Sequence, residues 1–593
     1  MTAEDVGGVV KAALELFKNG GDLAELRPLM GLARLQAFGL QADLDYMPRL
    51  TDRAAPLAQK LTSAHRAASL IKSRSTVISS GFGGVGRPSV LYRALKEIAI
   101  SRQRPLGLTW VTVSAAGARG RAEGSLEELA EPGLIARYIS GHVETVKAFF
   151  PLAETGKMII HTLPQGVMAS LIAAQSDGVF DMKTTVGIDT FLDPAMGGEG
   201  TELANANDES LVTRAGNELI YRLPQLDVAL ISAAAVDQEG NVYGDGMASI
   251  TEIADAVRAV RHNNGVVIVA VGYVTSEPSG KPLIPTEFVN HIVVHPRTEQ
   301  IAGIPVTEYW DIFTPKTPSP TVAAFTQAHT TLKFVNTLAN VTPARGEFGQ
   351  VLARTAAKLL TENIRRNDLV NIGVGLPEEV AGIFCDAGLA GDVLFSVESG
   401  ALGGIPSPGL FFGSAIHPQK IESSRETFAR YRRGLPAAVL GFLEVDGKGN
   451  VNVSRRGSQV SGIIGPGGFI DICEAAQTII FVGSWMVRGK TIVENGNVKI
   501  DSHGQPKFVP KLGQVTFSAA RALKAGKRVY YVTDFGILRL SGQGLILHAV
   551  FPGIDRKEDI ERTMQIAVVG MSEAQTICRE IVTGDGFNLS IRD

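Results

Sequence analysis

A single carboxylate, Glu398, stands where an apolar run gives way to small residues, in the stretch from Val393 to Pro406. Glycines at 400, 403 and 404 permit close backbone approach and positive φ, so that N–H groups can face a developing oxyanion. A carboxylate in such surroundings can serve as a nucleophile, and it can equally cap the turn in which it lies.

Other chemistries find little purchase. The chain has no HExxH, no GxSxG and no P-loop pattern, and its ten histidines are scattered. His417 reads as structural rather than as a base, and no cluster of residues offers a metal site. Cys385, Cys473 and Cys578 lie far apart with no CxxC spacing, which argues against a disulfide framework or a cysteine zinc site and fits a reducing compartment. Gly81, Gly83 and Gly86 match GxGxxG between a strand and a helix. A dinucleotide site would also require an acidic residue at the end of the next strand, and that strand ends Val113-Ser-Ala-Ala116. By elimination, a carboxylate in a glycine-walled pocket is the best nucleophile.

The elements that must position it alternate. Strands are expected at Ser75–Ser79, Leu106–Ser114, Val228–Ser232 and Gly265–Val271, separated by helical patterns, which implies crossover units and mostly parallel sheets. The pattern also repeats. Val77 to Pro88 leads into a helix from Val90, and Leu369 to Pro377 leads into one from Glu378. Later, Val236-Asp-Gln-Glu-Gly-Asn-Val242 is echoed by Val445-Asp-Gly-Lys-Gly-Asn-Val451. Both glycine loops end in proline, Pro88 and Pro377, which suits a first helical turn and would leave helix-start amides for an anion or a polarised carbonyl.

These repeats predict two related open α/β domains with mostly parallel sheets, at 59–315 and 346–593. A Pro-, Thr- and Ala-rich linker is expected at 316–345, and a helical extension at 1–58 from the amphipathic pattern around Val9 to Phe38. The catalytic glutamate falls in the second domain, and a site between the two follows.

Length and composition agree. The 593 residues include 65 glycines and are 45% hydrophobic, which suits an α/β enzyme with many tight turns. A net charge of −3, with Arg432-Arg433 and Arg455-Arg456 isolated, gives no reason to expect nucleic acid. Acidic Glu4 and Asp5 precede the first apolar residues, and no apolar run approaches the roughly 18 residues of a membrane span. The reading is a soluble, cytoplasmic protein.

Seven motifs occur in an order that carries a resemblance. They are Gly81-Phe-Gly-Gly-Val-Gly-Arg-Pro88, Leu163-Pro-Gln-Gly166, Gly187-Ile-Asp-Thr-Phe-Leu-Asp-Pro194, Asn371-Ile-Gly-Val-Gly-Leu-Pro377, Glu398-Ser-Gly-Ala-Leu-Gly-Gly404, Gly449-Asn-Val-Asn-Val-Ser454 and Gly467-Gly-Phe-Ile-Asp471. Over about residues 60–570 the chain resembles a family I coenzyme A transferase of the fused kind, most similar to propionate or acetate CoA-transferases. It departs from them at Phe428-Ala-Arg-Tyr-Arg-Arg-Gly-Leu-Pro436, where arginines replace aspartates. A more cationic segment there bears on which acid is accepted.

The resemblance implies ping-pong transfer of coenzyme A between carboxylic acids through a glutamyl-CoA thioester on Glu398. Gly373, Val374, Gly375, Gly404 and Gly468 would line the CoA site, and Gln165 would hold the intermediate's carbonyl. It implies no permanently bound cofactor and no metal, coenzyme A acting as substrate, with an acyl-CoA and a small carboxylic acid as partners and a homo-oligomeric assembly. Two alternatives stand beside transfer: an acyl-CoA hydrolase on the same fold, and a non-catalytic CoA-binding protein.

Overall fold

A computed structural model describes residues 43–593 apart from 51, 53, 118–123, 198–209, 279, 297, 299–310, 316–319 and 340–345. The expected helices between Val9 and Phe38 lie outside the described residues.

The first half is built on strands β1 (Thr76–Ser79), β2 (Leu108–Thr112), β3 (Ile135–Ser140), β4 (Ile159–Thr162), β5 (Val228–Val236), β6 (Val266–Val274) and β7 (His291–Val294). They run in the order β7-β6-β5-β1-β2-β3-β4, and every neighbouring pair is parallel. A sheet covered on both faces needs strands that are apolar on both sides. Thus all nine residues of β5 are buried. Alternate residues also feed two cores: Ile78, Val111, Ile139 and Ile231 lie in one, and Val77, Trp110, Tyr138 and Leu230 in the other. The covering helices include α1 (Ser89–Arg102), α2 (Gln165–Gln175) and α3 (Ile253–His262). On α3 the buried Ile253, Ala256, Val257 and Val260 recur at helical spacing and turn one stripe to the sheet.

The second half repeats the plan with β8 (Leu369–Ile372), β9 (Leu394–Ser396), β10 (Ala401–Leu402), β11 (Leu435–Leu440), β12 (Ala476–Val482), β13 (Arg528–Thr533), β14 (Gly536–Ser541) and β15 (Gly544–Val550). Its centre, β9-β8-β11-β12-β13, is parallel, while β10 on one side and the hairpin β14-β15 on the other are antiparallel. The neighbours β5-β1-β2 and β11-β8-β9 correspond, so each glycine loop leaves the equivalent strand of its sheet. The paired motifs after β5 and β11 also fold alike. Asp237 accepts from the backbone and amide of Asn241, Asp446 does so from Asn450, and Gly240 and Gly449 take φ of 85° and 87°.

Helices of this half are α4 (Val322–Ala339), α5 (Glu347–Asn363), α6 (Leu376–Asp386), α7 (Ser424–Arg433) and α8 (Phe469–Ala475). The 18-residue α4 occupies most of the segment expected as a linker. Its Phe325, Ala328 and Leu332 enter the second core, and Lys333 pairs with Glu379 of α6 at 3.0 Å. Its Thr and Ala content, in a stretch flanked by prolines, hides that helix from composition.

Several amides of both glycine loops are paired within the protein. Phe82 and Val85 exchange backbone hydrogen bonds at 2.9 Å, and Gly83 donates to Ala115. In the second loop, Gly373 donates to Val439 O, and Gly375 donates to the Glu378 carboxylate at 2.9 Å. Buried backbone must be paired, here both within the loops and with distant segments.

Candidate active site

Glu398 sits at the tip of the connection between β9 and β10. Gly400 N–H donates to Val397 O at 3.0 Å, closing a four-residue turn with Glu398 and Ser399 at its centre. Gly400 is indispensable to this geometry. It takes φ +112°, and a Cβ there would stand 1.8 Å from the Glu422 carbonyl oxygen. The turn is also held from the other half, where Ser249 Oγ donates to Ser399 O at 2.7 Å. A side chain on so constrained a turn has little freedom to wander.

The glutamate is 7% exposed, and its Oε2 has no hydrogen-bond partner. Burial pushes its carboxyl up to about 7, while its own backbone N–H and the Asn371 amide draw it partly back. Beneath it, Asn371 Nδ2 donates to Tyr431 Oη at 3.1 Å, and Tyr431 Oη lies 3.0 Å from Ser396 Oγ. Burial raises the Tyr431 hydroxyl well above its usual value, with the Glu398 charge adding to the effect, so it stays protonated.

Gln165, 4% exposed, is the first residue of α2 and arrives from the first half. Its N–H donates to Gly467 O at 3.0 Å. Gly468 is the meeting point: a Cβ there would stand 3.0 Å from Glu398 Cγ, 3.2 Å from Phe428 Cζ and 3.3 Å from Gln165 Oε1. Glu398, Gln165 and Gly468 therefore converge at one seam between the halves. The other residues singled out in the sequence have their own surroundings. Val374 is half-exposed between Gly373 and Gly375. Gly404 is pressed on the backbone of 416–417, where a Cβ would meet Ile416 O at 2.2 Å. His417 packs edge-on against Phe325, with ring centroids 5.4 Å apart.

The segment that departs from the resemblance forms α7. Arg430 turns away to the buried carboxylate of Glu422, with contacts of 3.1 and 2.6 Å, and Arg432 and Arg433 are exposed. What this helix gives the site is Phe428 at the seam and Tyr431 beneath Glu398. Asn371, Tyr431, Phe428 and Asp471 all lie in quoted segments, yet sequence reasoning assigned none of them a place at the site, because they meet Glu398 and Gln165 only through tertiary packing.

Among the described residues no group of His, Cys, Asp and Glu could hold a metal ion, and no helix is long and apolar enough to cross a membrane. Comparison with known proteins decides the family. Residues 61–295 match the model for coenzyme A transferase. The chain is 31% identical over 513 residues to the caffeate CoA-transferase of Acetobacterium woodii, covering 84% of this chain and 93% of that one. This chain belongs to the family I coenzyme A transferases. It is a transferase of the fused kind, with both halves on one chain. The acetate CoA-transferase YdiF of Escherichia coli K12 is 30% identical over 532 residues, 88% of this chain and 94% of its own. The YdiF apoenzyme structure from E. coli O157:H7 superposes with a TM-score of 0.78 at 25% identity, covering 92% of this chain and all of that one. A second YdiF structure is a thioester complex with CoA.

Proposed function

We propose that this transferase moves coenzyme A from an acyl-CoA to a short-chain carboxylic acid of the acetate or propionate kind, through a thioester on Glu398. The observation that carries the reading is the buried Glu398, with an unpartnered oxygen, on a clamped turn beside Gln165 and Gly468.

Ionised Glu398 attacks the acyl-CoA carbonyl and expels CoA thiolate, forming a mixed anhydride. The thiolate attacks the glutamyl carbonyl and releases the donor acid, which leaves with the bridging oxygen. The acceptor carboxylate then reverses both steps. Each exchange replaces one carboxylic thioester with another and stays near balance. Gln165, beside Gly468, holds the intermediate's carbonyl through its amide in this reading. Gly468 keeps the approach open, and Gly373–Gly375 and Gly404 wall the CoA path by close backbone. Sites at a seam between domains 59–315 and 346–593 fit this division of labour.

Oxygen labelling tests the reading. With doubly 18O-labelled acetate as acceptor and propionyl-CoA as donor, 18O passes through Glu398 into the released propionate over successive turnovers. Propionate that instead takes its oxygen from labelled water would identify a hydrolase. Propionate free of label from either source, with turnover continuing, would remove the glutamyl route.

A further inference from the structure

We infer that Asp471 is a positioning residue for the transfer reaction: its carboxylate reaches from the second half to fasten the start of the helix that carries Gln165.

The observations are independent of one another. Helix α2 opens after Pro164 with no side-chain cap of its own. Its first amides would be unsatisfied in a buried place, which is costly. One is met from a great distance in sequence, where Gly166 N–H donates to Asp471 Oδ2 at 3.0 Å across 305 residues. A negative side chain at a helix N-terminus also has a favourable sign. Gly166 leaves the room that this contact needs: a Cβ there would lie 2.4 Å from Asp471 Oδ1 and 2.7 Å from Phe428 Cδ1. At its other end Asp471 belongs to α8, whose N-cap is Gly468, the residue against Glu398. The chain Gly468–Asp471–Gly166–Gln165 thus ties both sides of the seam through one side chain that touches neither substrate nor nucleophile.

Asp471 is 5% exposed, and its Oδ1 has no partner. Burial pushes its carboxyl up to about 7, opposed by the Gly166 bond and Arg432 of α7 and reinforced by Glu474 of its own helix. A carbonyl oxygen in either protonation state can accept from Gly166, so asparagine should substitute where alanine cannot.

This inference rests on the assignment of Glu398 and Gln165, and a double-mutant cycle separates the two. Asp471→Ala is expected to lower kcat by about 10-fold or more, with KM changed by less than about 3-fold, and Asp471→Asn to restore kcat to within about 3-fold. In a Gln165→Ala background, Asp471→Ala should cost less than about 2-fold further, since its effect runs through the missing side chain. Gly166→Ala, which displaces the carboxylate, should reproduce the kcat loss and takes the place of Asp471→Ala if that variant does not fold. Effects that multiply across the cycle, or an asparagine no better than alanine, would overturn the inference. A Gln165→Ala enzyme with unchanged kcat would instead overturn the assignment on which it rests.

Discussion

Replacing Glu398 by glutamine should abolish transfer and yet stabilise the protein at alkaline pH. Burial moves this carboxyl from 4.5 to about 7. At about 1.4 kcal/mol per pH unit, the folded state resists ionisation by about 3 kcal/mol. The sign follows from the raised value. The stability that the neutral carboxyl contributes is fully present below the unfolded value, is lost as pH rises toward the folded one, and stays lost above it. Glutamine never ionises. The variant and the parent should therefore be nearly equal in stability at pH 4, and the variant should be ahead by about 3 kcal/mol at pH 8. Asp471 and Asp534, pushed up to about 7 and about 6, and Glu252, to about 8, titrate in both proteins and cancel in the difference. Melting curves across this range read the effect as a gap opening by roughly 3–6 °C. The same ionisation should govern the parent's kcat/KM, which should rise through about pH 7 as the nucleophile becomes charged. Activity of the variant should fall on the order of 1,000-fold or more. A melting difference that is constant with pH, or a variant that keeps its turnover, would refute the reasoning.

Gln165→Ala should lower kcat more than it raises KM in steady-state assays, as expected of a group that acts on the intermediate. Arg430→Ala leaves the buried Glu422 carboxylate without its best partner and should cost about 2 kcal/mol in urea unfolding, discounted because Arg430 is about one-third exposed. The same variant should keep the parent's preference among competing acids, because that guanidinium faces Glu422 rather than the seam. Ser249→Ala removes the hydrogen bond to Ser399 O and should cost about 1 kcal/mol, with kcat falling as the turn that carries Glu398 loosens.

The repeated strand, glycine loop and helix were legible because each strand has a β-branched or aliphatic centre and each loop needs residues that tolerate positive φ. Glu398 stood out for a related reason, as a lone charge in a turn that only glycine can close at position 400. Other features were beyond local pattern. Helix α4 lies in a Pro-, Thr- and Ala-rich stretch, and its Phe325 and Leu332 find their core only in the fold. Glu378, Val439 and Ala115 take up some amides of the glycine loops, and nothing in the spacing reveals such partners. Asp471 lies inside a motif that was singled out, but its meaning depends on Gly166, which is 305 residues away. The arginines of α7 read from sequence as a cationic segment bearing on which acid is accepted, and one of them, Arg430, is engaged by the buried Glu422.

Mass spectrometry tests the central claim most directly. The intact protein and its peptides would be examined after brief incubation with acetyl-, propionyl- and succinyl-CoA in the absence of any acceptor acid. The account predicts a CoA-sized mass increase on the peptide containing Glu398, lost when acetate is added and absent from Glu398→Gln. Turnover of an acyl-CoA and acid pair with no adduct on that peptide, or with the adduct elsewhere, would contradict it.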